Sequence, residues 1–187
     1  MKQEIIHKAL VLLGSNSGIS NMPSGTANSK AENLCQEFVS SAIEEVALSV
    51  KWDFVLKRID NIDGANSEFK EIENIRDCIK VAVIVPSNRE FYVETGKIYF
   101  KGDSLTSLFY YSKTVIDLLL QSDGIAWQIV PQSFKLLASL NLAAQTAFAM
   151  YSDSLFADGL KKQYLIRLEE ARRIYSIGYN LVNSGEV

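Results

Sequence analysis

Histidine and cysteine are both scarce in this chain of 187 residues, which contains one His and two Cys. The two cysteines, Cys35 and Cys78, are too few for the disulfide framework of a small secreted protein, and they are not clustered with His as zinc ligands are. With His7 as the single imidazole, most histidine-dependent catalysis and metal binding becomes improbable. The composition therefore argues against an enzyme and predicts no metal and no cofactor.

A cationic excess and a long apolar run are also lacking. The 19 Lys+Arg and 22 Asp+Glu give a formal charge of −3, whereas proteins that neutralise nucleic-acid phosphates usually carry a clear positive excess. The most apolar stretch, residues 136–150, is interrupted by polar side chains and is shorter than the ~20 residues of a membrane span. The first ten residues thread charges among apolar side chains, unlike a signal peptide. We therefore expect a soluble protein, made in the cytoplasm, that contacts no membrane.

Helical periodicity dominates both ends of the chain. Apolar residues recur at spacings of three and four over about residues 3–13, 29–50 and 134–150, and again from residues 152–154 to about 177. Ser29 and Glu32 form a capping-box pattern at the start of the second helix. The third helix is apolar nearly all round and rich in Ala, so we expect it to be the central one.

The apolar period changes to two between about residues 52 and 113. Cys78–Val85 is a β-branched run typical of a strand buried on both faces, and Leu105–Tyr111 alternates as a further strand. Residues 94–97 are expected to turn a hairpin, and residues 60–66 to form a turn around Asp63-Gly64. These elements predict a small, mostly antiparallel sheet.

Together, the patterns predict one α+β domain that is mainly α. Its helical core comprises residues 3–50 and 131–177, as a four-helix bundle with a small antiparallel β-rich insertion at about 52–113, between helices 2 and 3. Gly178 is expected to end the fourth helix, leaving a tail of residues 178–187 that is disordered alone.

None of the candidate chemical motifs meets its own requirements. The Gly- and Ser-rich segment after Leu13 lacks the Gly-Lys-Ser/Thr of a phosphate-binding loop and follows a helix instead of a strand. Glu44 and Glu45 are neighbours in sequence, so they diverge by about 100° on a helix and cannot act as an acid–base pair. No catalytic, metal-binding or cofactor-binding residue is therefore predicted.

The order of features resembles a known family over nearly the whole chain, although its motifs are short. The matching residues are Leu12-Leu13-Gly14, Trp52-Asp53-Phe54, Tyr110-Tyr111, Pro131-x-x-Phe134 with Leu137-Ala138 through Leu142-Ala143-Ala144, and Tyr164 seven residues before Ala171-Arg172. This layout is similar to the head-to-tail adaptor (connector) proteins of tailed bacteriophages, of the tail tubular protein A type. The chain departs from their usual pattern in its Ser/Asn-rich loop after Gly14 and in its compact middle region.

The resemblance implies a structural virion protein and not an enzyme. Such adaptors form a ring, usually of twelve copies, in the neck between capsid and tail. The ring joins the portal protein to a tail or nozzle protein, and genomic DNA passes through it without sequence-specific binding. The alternative is a small-molecule-binding or enzymatic α+β domain, since fold does not fix function.

Two sets of candidate interface residues follow. In similar adaptors the C-terminal portion reaches the portal, and the candidates there are Arg172, Arg173, Tyr175, Tyr179, Leu181 and Val182. Residues 59–125 hold seven Lys+Arg against eleven Asp+Glu, a balance of −4, which would keep a DNA channel from adhering to its cargo. The candidates for a lumen-facing or tail-facing surface are Asp60, Asp63, Glu68, Glu71, Glu73 and Asp77. A frayed terminus and an outward, solvated acidic face are the alternatives.

Overall fold

The chain combines five helices with an antiparallel sheet of four strands, counted over the residues that the structure describes. The structure, a computed structural model, describes residues 2–15, 26–73, 75–87, 89–121, 128, 130–150 and 154–183. The elements are α1 (Lys2–Ser15), α2 (Thr26–Ser49), β1 (Leu56–Glu71), β2 (Cys78–Val85), β3 (Glu90–Glu94), β4 (Lys97–Ser112), α3 (Lys113–Gln121), α4 (Gln132–Met150) and α5 (Ser154–Asn183). The predicted α+β class is therefore confirmed.

The chain divides into two compact units. The first comprises Met1–Val50 and Leu120–Ile177, and the second comprises Lys51–Leu119 and the C-terminal residues from Gly178. The first unit contains α1, α2, α4 and most of α5, whereas the second contains the sheet and most of α3.

Helix α4 forms the centre of the first unit. It packs against both α1 and α2, and its buried residues occupy almost every side of the helix. Small side chains such as Ala143 and Ala147 are fully buried and let the neighbouring helices approach closely. The expectation of a central, Ala-rich helix is confirmed.

The last helix is longer than the sequence indicates. Gly178 was expected to end it, but α5 continues through this glycine to Asn183. Glycine lowers helix stability by only about 1 kcal/mol relative to Ala, which a long helix tolerates. The predicted tail of residues 178–187 is therefore helical up to Asn183, and residues 184–187 lie outside the described part of the chain.

Strand β4 is the central strand of the sheet. It pairs with β1 along most of its length, and its other edge pairs first with β3 and then with β2. All three pairings are antiparallel. The buried side chains of the sheet include Ile98, Phe100, Leu105 and Leu108 from β4 itself, so this strand also supplies much of the core.

The hairpin between β3 and β4 has the predicted turn. Glu94 and Lys97 are paired, and the two residues between them, Thr95 and Gly96, have φ values of 48° and 79°. Two consecutive positive φ angles define a type I′ turn, whose twist matches that of antiparallel strands.

Three expectations for the middle region are corrected. Residues 60–66 are strand, not turn, because β1 pairs with β4 from Leu56 to Glu71, with an irregularity between Ala65 and Lys70. Strand β2 has the predicted bounds but is not buried on both faces, since Ile79 and Lys80 are exposed. Helix α3 was not foreseen, so the described residues contain five helices and not four.

Candidate functional site

The six acidic candidates of the second unit do not form one site. In three of them, Asp60, Glu71 and Asp77, the carboxylate accepts hydrogen bonds from neighbouring side chains. The other three, Asp63, Glu68 and Glu73, are exposed and make no ion pair with any residue in the described ranges. The part of the chain that the structure describes also contains no group of three or more His, Cys, Asp or Glu side chains that could hold a metal ion.

Asp60 and Glu71 are held at the sheet surface by cations and hydroxyl groups. Asp60 accepts a hydrogen bond from Ser107 and another from Arg58 Nε at 2.7 Å, and these bonds lower its pKa. Glu71 accepts from Lys97 Nζ at 3.0 Å and from Tyr99 at 3.3 Å, and the bond from Lys97 is the main cause of its lowered pKa. Both carboxylates thus bridge neighbouring strands.

Asp77 joins a strand to a helix. Its carboxylate accepts from Lys57 Nζ at 2.9 Å and from the hydroxyl of Ser112, while its backbone oxygen accepts from the Lys113 amide at 2.7 Å. Burial alone would raise its pKa, but hydrogen bonds from Ser112, Lys57 and Thr114 outweigh burial and hold the pKa well below its usual range. Ser112 also caps α3 by accepting from the Val115 amide. This geometry makes Asp77 an anchor for the start of α3.

The C-terminal candidates divide into those that the structure describes and those that it does not. Arg172 donates to the Ser49 carbonyl at the end of α2 at 3.0 Å, and to Glu169 at 2.7 Å. It therefore packs within the first unit, whereas Arg173 is exposed and Tyr175 is half-buried. Tyr179, Leu181 and Val182 follow on α5, but their side chains lie outside the described residues.

Helix α5 has one buried seam and a second set of apolar side chains outside it. The seam consists of Ala157, Leu160, Tyr164, Leu168 and Ala171, and Tyr175, one turn further along, is half-buried. Away from the seam, Leu165, Ile166 and Ile174 are 48%, 52% and 63% exposed. These three positions were not predicted from the sequence, although their apolar identities were the available signal.

A shallow groove runs between α4 and α5. It is lined by Ser133, Leu136, Leu137, Arg167, Glu170, Ala171, Ile174 and Tyr175. Leu136 and Ile174 expose apolar surface to it, while Arg167 and Glu170 pair with each other at 2.9 Å. The groove therefore offers apolar contact with a polar margin, as protein interfaces do.

A polar cluster ties α2, α4 and α5 together. Glu45 accepts from Asn141 Nδ2 at 2.9 Å and from Gln145 Nε2 at 3.2 Å, and the Tyr164 hydroxyl lies 3.5 Å away. Burial, followed by the charge of Glu45, raises the pKa of Tyr164 to about 12. At neutral pH the protonated hydroxyl of this tyrosine therefore donates a hydrogen bond to Glu45. The cluster links the three helices through hydrogen bonds.

Comparison with known proteins does not place the chain in a family. A scan against models of protein families and a search of curated protein sequences each found no match. Over the described ranges, no helix combines the length and the apolar character that crossing a bilayer requires.

Proposed function

We propose that this chain is the repeating subunit of a head-to-tail adaptor ring, placed in the virion neck between portal and tail. The proposal includes the ring of twelve copies that is usual in the family it resembles, and a DNA channel through the centre. It also includes the finer fold, in which α1, α2, α4 and α5 form a bundle and the sheet is an insertion between α2 and α4.

The observation that carries the proposal is the set of exposed apolar side chains that α5 carries outside its buried seam. A cyclic ring with more than two members needs each subunit to present two different surfaces, because the contact is heterologous. Leu165, Ile166 and Ile174 are exposed outside the buried seam, and they project in different directions, Leu165 and Ile174 from opposite sides of the helix. A long helix that packs one side into the core of its own subunit and exposes apolar side chains on other sides suits lateral contact with a neighbouring subunit.

The C-terminal half of α5 supports a portal contact. Arg173 and Tyr175 precede Tyr179, Leu181 and Val182 on one continuous helix. A helical segment whose sequence contains aromatic, aliphatic and cationic residues fits a groove-binding mode, and repetition around a ring multiplies a weak contact into a strong one. The portal contact includes Arg173 and the residues after it, whereas Arg172 donates to Ser49 and Glu169 within the chain.

The acidic residues support a surface that repels DNA. Asp63, Glu68 and Glu73 are exposed and lack ion pairs among the described residues, so their charges are available to the solvent. Three unpaired carboxylates per copy, repeated around a channel, would keep a passing polyanion from adhering. Asp60, Glu71 and Asp77 contribute less, because each is already paired.

Electron microscopy of the chain mixed with portal rings tests the proposal. We expect negative-stain images to show a second ring stacked on the portal ring, with density that is absent when the chain is omitted. A chain that leaves portal rings unchanged at a large molar excess would contradict the adaptor assignment. The chain alone serves as the comparison sample, since a lateral contact can close only on its template.

A further inference from the structure

The outer face of α2 carries unpaired negative charge. Glu37 and Glu44 are seven residues apart, so they lie on the same side of the helix, away from the buried residues. Neither forms an ion pair with a residue of the described ranges. Glu45, in contrast, is held by Asn141 and does not contribute. Between the two free carboxylates the surface is small and polar, as at the exposed Ser41.

The outer face of α5 carries the complementary features. Lys162 and Arg173 are eleven residues apart, which is about three helical turns, and Ile166 lies between them on the same side. Lys162 forms no ion pair within the described part of the chain. The side chains described on α5 include five cations and three carboxylates: Lys161, Lys162, Arg167, Arg172 and Arg173 against Asp158, Glu169 and Glu170. Two of those carboxylates are already paired along the helix.

Charge decides which surfaces can meet. Two α5 faces placed together would oppose two surfaces of net positive charge, since Glu169, which lies on the same side as Lys162, is already paired with Arg172. Two α2 faces, each with Glu37 and Glu44 against the single Lys30 on the same side, would likewise oppose two surfaces of net negative charge. Like charges across an interface are strongly unfavourable. Pairing α5 with α2 removes both conflicts and covers Ile166 with a surface of small residues.

We propose that the outer face of α5, defined by Lys162, Ile166 and Arg173, docks onto the outer face of α2, defined by Glu37 and Glu44, of a second copy of this chain. This inference rests on the proposed function and deepens it, because it names the two surfaces through which ring neighbours meet. Both surfaces belong to the first unit, so each copy carries one of each, and a ring forms when the contact repeats head to tail from copy to copy.

Cysteine cross-linking in the full-length chain tests the contact directly. Glu44→Cys is placed in one preparation and Lys162→Cys in another, and the two are mixed and treated with a short bis-maleimide, both with portal rings present and without them. We expect a cross-linked dimer in the mixture and little in either preparation alone, since each contains only half of the contact. The native thiols, Cys35 and Cys78, are buried, and Thr106→Cys on the exposed side of β4 provides the background level.

Charge reversal in the same cysteine background tests the electrostatic cause. Glu37→Lys should lower the yield of the mixed dimer several-fold, as should Arg173→Glu. The two reversals combined in both partners should restore most of the yield, because the charges again oppose. The yield should also fall as salt rises from low to about 0.5 M, since exposed charges are screened.

The outcomes separate this inference from the adaptor assignment. A mixture that cross-links no better than the Thr106→Cys background, or a dimer from Glu44→Cys alone, would overturn the α5–α2 contact. If rings still stack on portals in that case, the proposed function stands and only the docking surfaces are wrong. A strong mixed cross-link without any ring on the portal would confirm the contact and contradict the adaptor function.

Discussion

Asp77 shows how a single carboxylate can organise a local fold. Its carboxylate accepts hydrogen bonds from Lys57 of β1 and from Ser112 at the end of β4. Its backbone oxygen accepts a hydrogen bond from the first amide of α3. Hydrogen bonds to a charged acceptor are stronger than those between neutral groups. Removing the charge therefore weakens several contacts together.

Asp77→Asn should lower the free energy of unfolding at pH 7 by about 2 kcal/mol, because Lys57 loses its counter-charge in a site that is mostly shielded. The folded pKa of Asp77 is depressed, so its contribution is present above the ordinary value of 3.8 and is lost as the pH falls below it. The difference between wild type and variant, measured by urea denaturation, should be constant above about pH 5 and should shrink below pH 4.

Asp63→Asn is the matched control for this change. Asp63 is exposed and makes no described ion pair, so its loss should change the stability by less than about 0.5 kcal/mol at any of these pH values. Equal effects of the two substitutions would show that Asp77 is not an anchor.

The role of Asp77 could not be read from the sequence. Its partners lie 20 and 35 residues away along the chain, and spacing of that kind carries no local pattern. As one of six carboxylates in an acidic region, it was assigned to a surface.

At the scale of elements, two glycines provide opposite tests of backbone geometry. Gly96 has a φ of 79°, and a Cβ there would lie 2.5 Å from the Arg76 carbonyl oxygen. Gly96→Ala should therefore destabilise the chain by about 1–3 kcal/mol. Gly159, inside α5, has open space around it, so Gly159→Ala should stabilise by about 0.5–1 kcal/mol. Thermal unfolding of both variants checks the pair, and a gain of stability for Gly96→Ala would contradict the turn.

The end of α5 offers a second test at this scale. Deleting residues from Gly178 onward removes its last described turns but leaves the buried seam intact. We expect the helical circular dichroism to be nearly preserved while co-sedimentation with portal rings is lost. A deletion from Gly185 onward serves as the control and should bind portal rings as the wild type does. Portal binding by the shorter chain would refute the C-terminal contact.

Helices and strands could be predicted from the sequence where the local residue pattern favours the same structure as the contacts with distant parts of the chain. The bounds of β2 and the turn at Thr95-Gly96 follow from β-branched and glycine signals. Strand β1 was missed through residues 60–66, because pairing with β4 overrides the turn preference of Asp63-Gly64. Helix α3 was missed because its start depends on the distant Asp77. Leu165, Ile166 and Ile174 were missed because positions outside the core-facing side of a helix are expected to be solvated.

At the scale of the whole molecule, the acidic surface predicts how an assembled ring treats DNA. The triple change Asp63→Lys, Glu68→Lys and Glu73→Lys moves the formal charge of each chain from −3 to +3, since each substitution adds two charges. If these residues face the channel, portal-bound rings of the variant should retain linear duplex DNA but not a covalently closed circle, which cannot thread. Co-sedimentation at physiological salt measures both forms, with wild-type rings as the control. Equal retention of the two forms would place the residues on the outside.

The central position of β4 has a consequence for synthesis on the ribosome. The first residue of β1, Leu56, is paired with Tyr111 near the end of β4, so the earliest strand emerges long before its partner. At about 5–20 residues per second, β1 waits several seconds as an unpaired segment. Its charged residues, among them Arg58, Asp60 and Lys70, discourage association with other unfinished chains during that interval. The charges along β1 thus protect the growing polypeptide before they become part of a folded surface.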